Sequence, residues 1–100
     1  MVIVGGSFEL DPGERDQFIA SRVEMMRGSR GEDGCLEYTF AADPLDDGRV
    51  VLFERWVSQA HLDAHLAGLR AKPNDDAPAV RPKSSSIMMY DISGERPFGR

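Results

Sequence analysis

The sequence lacks the residues that mark several large classes of protein. Its one cysteine, Cys35, has no partner for a disulfide within the chain. Cys35 follows Gly34 at the start of an apolar stretch, which favours a packing residue over a reactive thiol. No apolar run approaches the roughly 20 residues of a transmembrane helix, and no signal peptide is recognisable. We therefore expect a cytoplasmic protein that does not contact membranes.

Positive charge is scarce and dispersed. Lysine and arginine total 12, aspartate and glutamate total 17, and the net charge is −5. The arginines are spread from Arg15 to Arg100 without a basic stripe, so we expect no binding to nucleic acid or to anionic membrane surfaces. A length of 100 residues, 41% of them hydrophobic, suits one domain. We assign that domain to residues 1–93 and a C-terminal tail to residues 94–100.

The spacing of apolar residues predicts alternating strands and helices. Asp11 is the predicted cap of the first helix and Ser58 that of the second. A long loop rich in proline and aspartate, residues 71–86, precedes the last strand and is a candidate lid. The strands are expected over 1–10, 34–43, 49–57 and 86–93, the helices over 11–28 and 58–70, and a hairpin turn over 44–48.

The order of these elements is β-α-β-β-α-β, which defines the fold class as α+β. With right-handed crossovers it gives a ferredoxin-like antiparallel sheet with both helices on one face. Inside the first strand, Gly5 and Gly6 predict either a bulge or the close approach of another backbone or a ligand.

The third strand is apolar on both faces. Val50, Leu52, Glu54 and Trp56 alternate with Val51, Phe53, Arg55 and Val57. Helices can cover only one face, whereas an exposed face normally alternates with polar residues. We therefore expect a homodimer that pairs through its sheet faces as a dimeric α/β barrel. The alternative is that the strands tolerate some exposed apolar side chains.

Two histidines four residues apart, His61 and His65, have the spacing of metal ligands on a helix. The glutamate of a His-Glu-x-x-His motif is absent and the chain has no third histidine, so we predict no metal site. His65 falls within the apolar stripe of Leu62, Leu66 and Leu69 and is expected between helix and sheet. Its role there is either a general acid/base or a satisfied core histidine.

Trp56 and Glu54 share one face of the third strand, and the sequence leaves that face undecided. If it meets the helices, Trp56 and His65 line one pocket with Glu54 as an acceptor. If it is the opposite face, Trp56 lies in the dimer interface and Arg55 points at the helices. One bulge is enough to exchange the two arrangements.

The stretch from GCLEYTF to VVLFERWVSQAHLDAHL resembles the antibiotic biosynthesis monooxygenase (ABM) family of the dimeric α+β barrel superfamily. The shared pattern is Gly-Cys-x-x-Tyr, then Glu-x-Trp, then Ala-x-Leu-x-x-His-Leu. It is carried by Gly34, Cys35, Tyr38, Glu54, Trp56, Ala60, Leu62, His65 and Leu66. The specific match covers residues 34–69, and the order of elements agrees over most of the chain.

The resemblance implies a monooxygenase that uses molecular oxygen on a small phenol, quinol or polyketide-type aromatic, without a cofactor. It implies that His65 is the base or orienting donor, that Trp56 is a pocket wall and that Glu54 orients one of them. Residues in contact with the substrate are then Tyr38, Phe40, Leu62 and Leu66.

Two departures from the family pattern narrow this interpretation. Relatives that degrade heme are expected to carry an asparagine in the first strand, where this chain has Val4-Gly5-Gly6-Ser7, so heme cleavage is not expected. A second histidine soon after the helix motif is also absent, so a proton relay that uses a second histidine is not expected. The alternatives are a non-catalytic barrel that binds a small hydrophobic ligand or acts in stress response, and an isomerase or lyase on the same scaffold.

Overall fold

The computed structural model describes residues 1–71 and 80–99. Within them the chain forms an α+β fold in which three helical segments lie on one face of a four-stranded antiparallel sheet. The strands are β1 (Val2–Glu9), β2 (Cys35–Ala42), β3 (Arg49–Trp56) and β4 (Ser84–Asp91), and the helices are α1 (Arg15–Ala20), α2 (Val23–Arg30) and α3 (Gln59–Ala71).

The sheet order is β2-β3-β1-β4, and each neighbouring pair is antiparallel. This is the ferredoxin-like arrangement that the element order predicts, and the expected fold class is confirmed. The first and third strands lie in the middle of the sheet, and the helices pack mainly on β2 and β3.

The predicted first helix is in fact two segments, α1 and α2. They are joined by a tight turn in which the Arg22 amide donates to the Ile19 carbonyl at 2.9 Å. The Ser21 hydroxyl also donates to the Phe18 carbonyl at 2.6 Å. A serine that bonds the backbone in this way competes with the regular helical pattern, and the apolar periodicity does not register that competition.

Asp11 does not cap this helix, so that prediction is wrong. The N-cap residue of α1 is Glu14, whose side chain makes no capping hydrogen bond. Asp11 instead accepts the Glu14 amide through its carbonyl and pairs with Lys83 through its carboxylate at 3.2 Å. The acid therefore ties the turn to the residue that precedes β4.

The predicted cap of α3 is confirmed. The amide of His61 donates to the Ser58 hydroxyl oxygen at 3.3 Å, and the Leu62 amide donates to the Ser58 carbonyl. Strand β4 begins and ends two residues earlier than expected, at Ser84 and Asp91. Half of the predicted loop over 71–86, residues 72–79, lies outside the described residues, and its last three residues belong to β4.

Strand β2 contains a bulge that the alternation of its side chains does not reveal. Cys35 pairs with Trp56 whereas Glu37 pairs with Arg55, so Leu36 is the extra residue. Leu36 therefore turns outward and is exposed, while Tyr38 and Phe40 are buried beneath the helices. The bulge expected at Gly5 and Gly6 does not occur, because β1 keeps regular register with both neighbours.

The close approach predicted for the glycines is confirmed at Gly6. A Cβ atom there would clash with the backbone of Ser86 and Ile87 in β4. A side chain at this position would therefore push β4 away from β1.

The space between sheet and helices holds two side-chain clusters. The apolar cluster consists of Leu10, Phe18, Phe40, Val50, Leu52 and Val80. The aromatic–polar cluster consists of Val2, Tyr38, Trp56 and Leu62, with the buried polar residues Glu54 and His65 among them.

The opposite face of the sheet carries no helix from the described residues. Phe53, Met88 and Tyr90 are between 39% and 56% exposed there, and Ile3 and Val51 stand on the same face by their pairing. No helix among the described residues is long and apolar enough to span a bilayer.

Candidate active site

Strand β3 directs Trp56 and Glu54 toward the helices, which decides between the two arrangements left open by the sequence. Val50, Leu52, Glu54 and Trp56 are all buried on that face. The Trp56 indole Nε1 donates to Glu54 Oε1 at 3.0 Å. Glu54 is thus the acceptor that orients the indole.

His65 projects from α3 onto the same aromatic group. Its ring centroid lies 4.7 Å from that of Trp56 and 5.4 Å from that of Tyr38. The side chain is 1% exposed. The two aromatic rings leave the imidazole little freedom to rotate, so its orientation is fixed by packing as well as by hydrogen bonding.

The hydrogen-bond partner of His65 is Glu32, a residue in the loop between α2 and β2. Glu32 Oε2 lies 2.6 Å from His65 Nδ1. A carboxylate has no proton to donate, so the Nδ1 atom carries the hydrogen in this bond. The lone pair of the neutral imidazole is then on Nε2, and the ring is oriented as a base.

Tyr38 occupies the same cluster on strand β2. Its hydroxyl donates to Met25 Sδ at 3.4 Å, and its ring meets Trp56 edge to face at 6.4 Å. Burial, with a smaller contribution from the negative charge of Glu54, raises the pKa of Tyr38 to about 12. Tyr38 therefore stays protonated at neutral pH and can act only as a donor or a neutral wall.

Glu54 is the buried acid of this cluster. Burial raises the pKa of its carboxyl above the ordinary value, and the hydrogen bond from Trp56 and the nearby His65 oppose that shift. A carboxyl in an apolar environment holds its proton more tightly because the charged form loses its hydration.

A surface cleft of about 370 Å³ adjoins His65. Its walls are the loop between α2 and β2 and the first turns of α3. The lining residues are Glu32, Asp33, Ala60, His61, Ala64 and His65. His65 is the member of the aromatic–polar cluster that reaches this cleft, while Trp56 is fully buried behind it.

His61 also lines the cleft and differs from His65 in its surroundings. Its Nδ1 atom lies 2.7 Å from the Ser58 hydroxyl, and its Nε2 atom lies 3.4 Å from Asp33 Oδ2. The ring packs on Gly34, where an added Cβ would clash with it. Gly34 has a φ of 80°, so both its backbone angle and its contact with His61 require glycine.

The structure separates the other predicted site residues from the cleft. Leu62 and Leu66 belong to the packing of the aromatic–polar cluster. Phe40 belongs to the apolar cluster and touches the first through Tyr38, with ring centroids 5.9 Å apart. The predicted pocket between Trp56 and His65 is closed, because their rings are in direct contact.

Cys35 lies beside Trp56 and packs against the aromatic–polar cluster. Its thiol is directed at the Glu37 carbonyl at 3.6 Å, and burial raises the pKa of the thiol. Burial therefore lowers the fraction of thiolate, the form that reacts.

Glu32 is the site residue that sequence reasoning missed. It lies 33 positions from His65 and belongs to no motif. The topology nevertheless contains a signal, because β2 and β3 form a hairpin. The residues before β2 must therefore lie beside those that follow β3, where α3 begins.

Histidine and carboxylate side chains line the cleft, but they do not form a metal site. Within residues 1–71 and 80–99 no group of three or more histidine, cysteine, aspartate or glutamate side chains is arranged to hold a metal ion. Each imidazole in the cleft is already paired with one carboxylate.

These features define a small ferredoxin-like domain with a buried histidine packed against two aromatic rings. The family model described as antibiotic biosynthesis monooxygenase matches residues 1–72, and the chain belongs to that family. An uncharacterized protein of Synechocystis sp. is 34% identical over 93 residues, or 92% of this chain. The chain spans 63% of the length of that relative.

Solved structures show the same fold. A Deinococcus radiodurans protein that bears the family name is 22% identical, with a TM-score of 0.80 and full coverage of both chains. Rv0793 of Mycobacterium tuberculosis is 27% identical, with a TM-score of 0.68 over 96% of this chain and 98% of its own. A point mutant of MhuD with two manganese protoporphyrin IX molecules bound per active site has a TM-score of 0.76 at 14% identity, covering 97% and 99%.

The described residues do not fit a tetrapyrrole of the kind bound by that MhuD mutant. A flat macrocycle needs an open slot, but the rings of Trp56 and His65 are in contact and leave none between them. On β1, the residues that pair with Trp56 and Glu54 are Val2 and Val4, which offer no side-chain donor.

Proposed function

We propose that this protein is a monooxygenase that oxidises a small phenolic, quinol or polyketide-type aromatic with molecular oxygen, and that His65 is its base. The observation that carries the proposal is the arrangement of His65 itself. The imidazole is fixed by Trp56 and Tyr38, bonded to Glu32 through Nδ1 and placed on a cleft of small-molecule size. A site volume near 370 Å³ lies at the lower end of the usual range of about 300–1,000 Å³.

In this chemistry the protein has to remove a proton from the substrate and exclude water, and no cofactor takes part. His65 takes a proton from the substrate, and the resulting electron-rich anion reduces oxygen. For a substrate with an activated CH₂ group, one oxygen atom becomes the new carbonyl and the other leaves as water with both hydrogens. The substrate supplies all four electrons, so metal and flavin are unnecessary. The protein positions the reactants and replaces their hydration shell.

The substrate enters from the cleft side of His65. Ala60 and Ala64 line one wall of the cleft with small apolar side chains. Glu32 and Asp33 line the cleft from the loop. Because the His65 side chain is 1% exposed, the substrate has to displace part of that wall to reach the ring.

Oxygen uptake tests the proposal. The protein is incubated with a panel of naphthoquinols and anthrones, and uptake is followed for the wild type, His65→Ala and the matched control Asp63→Ala. Asp63 is an exposed residue of the same helix whose side chain is bonded to Gln59. We expect His65→Ala to lower kcat/KM by about 10²–10⁴-fold, the usual contribution of a general base. Wild-type uptake no faster than buffer across the panel would reject the proposal.

We also propose that the protein is a homodimer in which the exposed sheet faces meet. The support is the apolar surface of Phe53, Met88 and Tyr90 on a face without helices. A second copy would cover this surface.

Analytical ultracentrifugation at micromolar concentration decides this point. The wild type should sediment as a dimer and Phe53→Asp as a monomer, while Leu45→Asp, at an exposed turn, should not change the mass. A wild type that sediments as a monomer would reject the dimer. The proposed compartment is the cytoplasm, where the single thiol of Cys35 stays reduced.

One observation favours a second candidate, a non-catalytic barrel that binds a small hydrophobic ligand. The aromatic rings that were expected to line a pocket are packed against one another, and Trp56 is fully buried. Binding of an anthrone that quenches Trp56 fluorescence, with no oxygen consumed, would support this second function over the first.

A further inference from the structure

We propose that Glu32 is a positioning residue that fixes the tautomer of His65, so that Nε2 is the atom that accepts the substrate proton. This inference rests on the proposed role of His65 as a base. It adds a residue that lies outside the motifs of strand β3 and helix α3 and comes from the opposite wall of the cleft.

The bond between these residues is short and shielded. Glu32 Oε2 and His65 Nδ1 are 2.6 Å apart, and the imidazole is almost completely buried. Ion pairs between fully exposed side chains contribute little because water competes with them. Here only the carboxylate retains contact with solvent, at 36% exposure of its side chain, so the bond restrains the ring effectively.

The backbone holds Glu32 in place from both sides. Its amide donates to the Ser29 carbonyl at 3.0 Å, and its carbonyl accepts the Cys35 amide at 3.2 Å. Two residues later, the Gly34 carbonyl accepts the Val57 amide at 2.8 Å. The carboxylate is therefore presented by a loop anchored to both α2 and the end of β3.

No other acid among the described residues of the cluster is placed to do this. Glu54 already accepts the indole hydrogen of Trp56, and Asp33 faces His61. Glu32 is thus the acid that bonds His65 Nδ1. In the proposed step a substrate C–H or O–H bond breaks and an N–H bond forms at Nε2. Glu32 takes no proton but stabilises the imidazolium through the Nδ1–H bond.

Nitrogen NMR of the histidine rings tests the tautomer without any turnover. In the wild type at neutral pH, we expect the neutral form of His65 to carry its hydrogen on Nδ1. Glu32→Ala should redistribute that hydrogen toward Nε2. Glu32→Gln keeps a side-chain oxygen that can accept from Nδ1 and should retain the wild-type tautomer. Asp33→Asn, which removes a neighbouring charge without touching this bond, should also retain it.

Kinetics complete the test. We expect kcat to fall about 100-fold in Glu32→Ala and about tenfold in Glu32→Gln, with KM changed little, since the lost interaction acts on proton transfer. Trp56 fluorescence verifies that each variant is folded, and Glu32→Gln remains informative if the alanine variant is not.

The outcomes separate the two proposals. Wild-type His65 with its hydrogen on Nε2, or an unchanged tautomer in folded Glu32→Ala, would overturn the role of Glu32 whatever the activity. So would a loss of activity confined to KM. Absence of oxygen uptake by the wild type, with Nδ1 protonated and the tautomer altered in Glu32→Ala, would reject the monooxygenase and keep the positioning role.

Discussion

The apolar cluster and the aromatic–polar cluster are built by the same strands on the same face of one sheet. Along β3, Val50 and Leu52 are followed by Glu54 and Trp56, and along β2 Phe40 is preceded by Tyr38. At one end all buried groups are apolar. At the other, an acid and an imidazole are buried among aromatic rings.

This difference shows that the aromatic–polar end of the core is not built for stability alone. Burying an ionisable group is unfavourable unless it is hydrogen-bonded. Glu54 and His65 each have one partner, Trp56 and Glu32 respectively. Hydrophobic side chains of similar volume would fill the same space more simply. In the aromatic–polar cluster, mutations can therefore change the stability of the fold and the activity of the site independently.

The largest expected effect comes from the apolar end. Phe18 is buried against Phe8 and Phe40, with ring centroids 5.4 Å and 6.1 Å away. Phe18→Ala should lower the free energy of unfolding by about 3–5 kcal/mol, since it removes a buried ring and leaves a cavity. Urea unfolding followed by Trp56 fluorescence measures this loss. The control Leu45→Ala, in an exposed turn, should stay within about 0.5 kcal/mol of wild type. A similar loss in both variants would mean that the apolar cluster is not the stabilising end.

The next effect belongs to Tyr38 and appears only in alkali. Its folded pKa, about 12, exceeds the ordinary value of 10.0, so the folded state keeps a proton that the unfolded chain has lost. This contribution to stability is complete below pH 10 and is lost as the pH rises toward 12. The loss should be about 2–3 kcal/mol.

Unfolding by urea at about pH 9 and about pH 11.5, on either side of the ordinary tyrosine pKa, measures the difference. Tyr38→Phe should lack the part of the alkaline loss that comes from this phenol, while the control Tyr90→Phe, on the exposed sheet face, should retain it. An equal alkaline loss in wild type and Tyr38→Phe would show that Tyr38 is not desolvated.

A smaller effect is expected at the loop that carries Glu32. Gly34→Ala should destabilise the protein by about 1–3 kcal/mol, because residue 34 has a positive φ and its new methyl group would press on His61. Gly68→Ala, in a helix with open space around it, serves as the control and should stabilise slightly. The test is whether oxygen uptake falls in Gly34→Ala beyond the loss of folded protein. Unchanged activity per folded molecule would show that the loop at Gly34 does not contribute to the activity.

The smallest expected effect is the pH dependence of stability that comes from Glu54, the buried acid of the aromatic–polar cluster. The pKa of Glu54 is raised above 4.5, so the folded state binds the proton more tightly than the unfolded chain. Its contribution to stability is present below pH 4.5 and is lost as the pH rises through the folded pKa. Glu54→Gln keeps an oxygen for Trp56 and should therefore be more stable than wild type at about pH 8, with the advantage gone at about pH 4. Thermal unfolding at both pH values checks this, and an advantage that does not depend on pH would contradict it.

Periodicity along the sequence was sufficient for the sheet but not for the details that depend on hydrogen bonds. The α+β class, the cap at Ser58 and the close approach at Gly6 follow from local patterns. The break between α1 and α2 and the bulge at Leu36 do not, because both arise from backbone bonds that hydrophobicity does not encode.

The candidate site divides in the same way. Once β3 is set to face the helices, Trp56, Glu54 and His65 come together as the motif implies. The role of Glu32 could not be predicted from the motif, because its contact with His65 depends on a loop that several backbone hydrogen bonds anchor. The closed packing of Trp56 on His65 was also unexpected, since side-chain volumes decide it and sequence spacing does not.

The bond from the Val57 amide to the Gly34 carbonyl gives the cleft a natural reporter. It joins the loop wall to the segment that leads into α3, so a movement of the loop away from that segment breaks it. The exchange rate of this one amide hydrogen with deuterium therefore measures how often the cleft opens. A bound molecule that widens the cleft would accelerate the exchange, and one that fits the closed form would slow it.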